Sequence, residues 1–71
     1  MHFITVTDNN PRNITIIEKT QGMNGWYAKI VYNKFLNTIV YEVFTPTGYS
    51  YCSGIVPDRE EAISKIKTIL F

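Results

Sequence analysis

The feature that most limits what this chain can fold into is residues 25–44, GWYAKIVYNKFLNTIVYEVF. Six of the ten aromatic residues, Trp26, Tyr27, Tyr32, Phe35, Tyr41 and Phe44, fall there beside three charges, Lys29, Lys34 and Glu42. Side chains alternate between the two faces of a strand. Trp26, Ala28, Ile30 and Tyr32 then share one face, and Tyr27, Lys29 and Val31 the other. In the following arm Ile39, Tyr41 and Val43 oppose Val40, Glu42 and Phe44. Both faces of this hairpin are apolar, so both need something to lie against. The pairing of the strands decides which set a helix would cover, and alternation alone leaves that open.

At 71 residues the whole chain, 1–71, reads as a single small domain.

Turn signals divide it into short segments. Residues 2–7, HFITVT, read as a strand, DNNPRN as a turn, and 13–19, NITIIEK, as a second strand. TQGMNG supplies two glycines for a loop. Residues 26–32 and 38–45 are the two arms of the central hairpin, joined by the five-residue NKFLN, where Asn33 and Asn37 suit positive φ. Phe35 and Leu36 are apolar residues at a loop tip. TPTG at 45–48 is the next turn, and YSYCS at 49–53 a shorter fifth strand.

The period then changes. PDREEAISKIKTILF is the one convincing helix. Asp58 is placed to cap its first turn, with Glu61 three residues on completing a capping-box pattern. Ala62, Ile63, Ile66, Ile69 and Leu70 form one apolar stripe. The expected fold is α+β: an antiparallel meander of four to five short strands with one C-terminal amphipathic helix packed on one face, in two layers.

Composition removes several function classes. Seven Lys or Arg against six Asp or Glu leave a net charge of +1, without the basic excess that phosphate binding calls for. One Cys and one His leave no internal disulfide and no metal-ligand set, so no cofactor or metal is expected. The N-terminus lacks a basic segment followed by an apolar run, and no apolar stretch approaches the roughly 20 residues of a membrane span. A cytoplasmic protein without membrane contact is the expectation.

No catalytic set emerges. His2 sits at the chain end, Cys52 has no second histidine to serve it, and Glu60 and Glu61 point about 100° apart on a helix. The chain is therefore not expected to be an enzyme. Gly22-x-x-Gly25 has neither the flanking helices nor the basic residue of a KH loop. A strand-rich outline with a terminal helix is shared with double-stranded RNA-binding domains, but here the first helical turn reads Asp58, Arg59, Glu60, Glu61, which repels phosphate.

The stretch CSGIVPDREEAISKIKTIL is similar to the ending of small HicB-type antitoxin domains. Ser53, Gly54, Asp58, Glu61 and Ala62 carry the similarity, over fewer than twenty residues. It implies a neutralising protein that binds an enzyme partner. This chain departs from that pattern by an added hairpin and by lacking a separate DNA-binding segment.

The second apolar face has three explanations: a sheet curled enough to cover itself, a homodimer, or a surface for another macromolecule. The leading expectation is a non-enzymatic protein-binding module of inhibitor, antitoxin, anti-defence or accessory-subunit type. It would act through the aromatic-rich hairpin surface on another protein or on itself. Trp26, Tyr27, Phe35, Leu36 and Tyr41 are the expected contact residues. The alternative is a single-stranded nucleic-acid binder that stacks bases on the sheet aromatics, with Lys19, Lys29 and Lys34 near the strand's backbone.

Overall fold

A computed structural model describes residues 3–10, 13–34 and 36–71, and for 6–10 and 13–16 the backbone alone. Phe35 and His2 therefore lie outside the described residues. The elements are β1 (Ile4–Asn10), β2 (Asn13–Gln21), a 3-10 turn (Met23–Gly25), β3 (Tyr27–Asn33), β4 (Thr38–Phe44), β5 (Ser50–Val56) and α1 (Arg59–Leu70). The strands form one antiparallel sheet in sequence order, β1-β2-β3-β4-β5. With the helix on one face, this is the expected α+β meander in two layers.

Local chemistry sets the joints. The Asp58 carboxylate accepts from the Glu61 N–H at 2.8 Å and caps α1. Losing that acceptor in Asp58→Ala should cost about 1 kcal/mol, read as a lower midpoint in thermal unfolding. An unchanged midpoint would mean the first turn is held by packing instead. Between β4 and β5, Gly48 adopts φ 92 and its N–H donates to the Thr45 carbonyl at 2.9 Å. Between β3 and β4, Asn37 takes positive φ (53), while Asn33 stays in the strand and its side chain accepts from the Leu36 N–H at 3.0 Å.

Three strands run longer than the turn chemistry suggested, β2 among them, which continues through Thr20 to Gln21. The ladder extends β1 through Asp8, Asn9 and Asn10, which pair with Thr15, Ile14 and Asn13. Cross-strand hydrogen bonding there outweighs the turn preference of Asp and Asn. β5 runs on through Gly54 to Val56, and Val56 is buried. Near its start Val43 pairs with Cys52 and Phe44 with Ser50, which leaves Tyr51 as an extra residue in a β-bulge.

The helix covers the set Ala28, Ile30, Val43 and Val56, against which Ala62, Ile66 and Leu70 are buried. Trp26, Tyr32, Ile39, Tyr41, Cys52, Ile63 and Ile69 close around this cluster. The helical stripe expected from the sequence is thus the face that α1 turns inward. Its packing lies over β3, β4 and β5. Over β2, the same side of the sheet is closed by a polar clamp: Arg59 donates from Nε to Glu18 at 2.8 Å, and the Tyr32 hydroxyl donates to the same carboxylate at 3.3 Å. The Arg59 guanidinium also sits 5.4 Å from the centre of the Phe3 ring.

Burial first, and the adjacent Glu18 charge second, hold the Tyr32 phenol above its usual range, against an opposing pull from Arg59. The fold therefore binds this proton more tightly than the unfolded chain does. That stabilisation is complete below the unfolded value near 10 and is lost as pH rises through the higher folded value. Tyr32→Phe should flatten the alkaline end of a stability-against-pH curve. An identical alkaline limb in the variant would remove Tyr32 as its source.

Candidate functional site: the uncovered sheet face

With the helix settled on one side, the register defines what the other side presents. Alternation places residues next to the buried Ala28 and Ile30 on the opposite face. Val31 pairs with Ile17 on β2 and with Val40 on β4, and Val40 pairs with Ile55 on β5. Ile17, Val31, Val40 and Ile55 therefore make one β-branched row across four strands. The backbone register carries that row to position 6 on β1. Ile55 is 76% exposed at the sheet's edge, and Ile17, Val31 and Val40 are half-buried by their neighbours.

The next row is charged. Ile4 pairs with Lys19, Lys19 with Lys29, Lys29 with Glu42, and Glu42 with Ser53. The Lys29 ammonium lies 3.5 Å from the Glu42 carboxylate and 5.4 Å from the centre of the Phe44 ring. Glu42 also accepts from the Ser50 hydroxyl at 2.8 Å. Lys19 has no ion-pair partner among the described residues.

The third row is aromatic. Tyr27 and Phe44 pair across β3 and β4, with ring centres 4.8 Å apart and planes 14° from parallel. A shallow concavity of about 530 Å³ borders the β1–β2 end, lined by Ile4, Lys19, Thr20, Gln21 and Tyr27. Its ionisable groups are one amine and one phenol. Among the described residues, no group of three His, Cys, Asp or Glu side chains could hold a metal ion. Nor is any helix there long and apolar enough to cross a membrane.

The expected contact residues do not share one surface. Trp26 and Tyr41 are half-buried on the helix side against the core, and Trp26 meets the Tyr51 ring edge-on at 5.3 Å. Tyr27 is on the uncovered face, and Leu36 is exposed at the β3–β4 loop. Phe35 is outside the described residues. The aliphatic row was missed because it comes from four strands. Its signal was present as Val31 and Val40 alternating with core residues, but only register joins them to Ile17 and Ile55. Cys52 faces the helix, half-buried against the core.

No protein-family model matches the chain, and neither a curated protein nor a solved structure matches it.

Proposed function

We propose that this chain is a non-enzymatic protein-binding module whose working surface is the uncovered sheet face. One observation carries the reading: the row Ile17, Val31, Val40 and Ile55 crosses four strands on the side away from α1. Contiguous apolar surface of this kind, with a polar border, is the usual composition of a protein interface. The action would be occupancy of a partner's surface, as in small inhibitors, antitoxins, anti-defence proteins or accessory subunits.

The same face suits nucleic acid less well. Tyr27 and Phe44 each turn one ring face to the other, and Glu42 offsets the Lys29 charge. A base-stacking platform needs free ring faces and a basic track beside them.

The test compares immobilised wild-type protein with Ile55→Lys, whose position is exposed enough to take a charge without disturbing the core. Proteins from the source cell that are held by the wild type and released by the folded variant support the reading. Identical sets on both would contradict it, as would binding that weakens steeply with salt, which marks phosphate contacts.

A further inference from the structure

We infer that the uncovered face is occupied by a second copy of this chain, related by a two-fold axis lying between β3 and β4 and parallel to them. This deepens the protein-binding reading and rests on it.

The order of residues in each row favours this axis. Such an axis sets β3 of one copy over β4 of the other, and β2 over β5. Each row then faces itself in reverse. Val31 meets Val40 of the second copy, and Ile17 meets its Ile55. Tyr27 meets its Phe44, so the aromatic row is also matched. In the charged row Lys29 meets Glu42 of the second copy, and Glu42 meets its Lys29. The two in-chain Lys29–Glu42 pairs, each 3.5 Å across, thus combine into a ring of four alternating charges.

Other axes lose this match. An axis along β3 sets Lys29 over Lys29. One running along the charged row sets every charge over its own copy, a repulsive arrangement. Two sheets packed face to face lie about 10 Å apart, a gap that side chains of this length bridge, and a two-fold axis along the strands keeps the facing strands near parallel, within the range of aligned sheet packing. The net charge of +1 adds little repulsion between copies.

The area is adequate and modest. Four strands about 4.8 Å apart, over roughly 20 Å of strand, present about 400 Å² of flat face per copy. Side-chain relief raises the accessible area of such a face. Two copies then approach the roughly 1,000 Å² at which specific interfaces begin. Association should therefore depend on concentration.

The test is charge reversal, read as mass in solution by light scattering over a wide concentration range, with circular dichroism to confirm folding. Wild type should move from 8.2 kDa toward twice that mass as concentration rises. Lys29→Glu would gather four carboxylates in its own dimer and Glu42→Lys four ammonium groups, so each alone should stay monomeric. An equimolar mixture of the two should recover the dimer mass, because unlike charges again oppose. The double variant Lys29→Glu/Glu42→Lys keeps the in-chain pair. It should associate with itself as wild type does, and should not exchange subunits with wild type.

A dimer that survives both single reversals would overturn the inference, as would a double variant that exchanges freely with wild type. A wild type that stays monomeric throughout would also overturn it. The broader reading would then stand or fall separately, on whether Ile55→Lys changes what an immobilised chain retains.

Discussion

Ile30→Ala should unfold this domain or lower its melting midpoint by at least about 10 °C. Ile30 is fully buried at the centre of β3, between Glu18 on β2 and Tyr41 on β4, in the cluster closed by Ile66 and Leu70. Truncating a buried Ile to Ala costs about 2–5 kcal/mol, through lost transfer energy and the cavity left behind. A chain of this length holds roughly 4–10 kcal/mol in all. Each kcal/mol moves the midpoint of so small a domain by about 4–8 °C. Ile30→Val should cost far less, about 0.5–1.5 kcal/mol. An Ile30→Ala protein melting within a few degrees of wild type would mean that the helix does not pack on this face.

The second large effect is expected at Gly54. This residue pairs with Tyr41 across β4 and β5, and the Tyr41 ring lies over its backbone. A Cβ added there meets Tyr41 Cε1 at 3.0 Å and Oη at 3.3 Å. The ring is itself packed against the core, so it has little room to withdraw. Gly54→Val should destabilise by about 1–3 kcal/mol, the usual cost of overpacking. In a Tyr41→Ala background the same substitution should cost almost nothing, since the obstructing atoms are gone. Strictly additive losses in the double variant would show that the penalty arises from the backbone and not from the ring.

Much of the helix was legible in the sequence because its determinants are local. The Asp58 cap, the acidic first turn and the stripe of Ala62, Ile66 and Leu70 all lie within thirteen residues. The same holds for Gly48 and Asn37, whose positive φ follows from nearby turn chemistry. The similarity to an antitoxin ending dissolves into such local roles. Gly54 makes room for Tyr41, Asp58 caps, and Ala62 lets the helix approach the sheet.

What could not be read depended on register between distant strands. Alternation separated Ala28 and Ile30 from Lys29 and Val31, but which set the helix takes follows from strand order. The expected contact residues are aromatic apart from Leu36, and aromatic character does not separate the two faces of a strand. Trp26 and Tyr41 are core-side groups with polar edges, as amphipathic aromatics often are. The row that distinguishes the open face is aliphatic, and Ile17 and Ile55 are 38 positions apart in the chain. Asp8 and Asn9 misled for a related reason: their turn preference is local, and their pairing with Thr15 and Ile14 overrides it.

The most direct measurement is the thermal unfolding of Val40→Lys beside Ile30→Ala, in dilute protein. Both are sheet residues on neighbouring strands, one on each face. If the uncovered face is a binding surface, Val40→Lys should cost no more than about 1 kcal/mol, the range of β-propensity alone, while association through that face disappears. A loss as large as that of Ile30→Ala would contradict the account, because it would make Val40 part of the core and leave the domain without a free face.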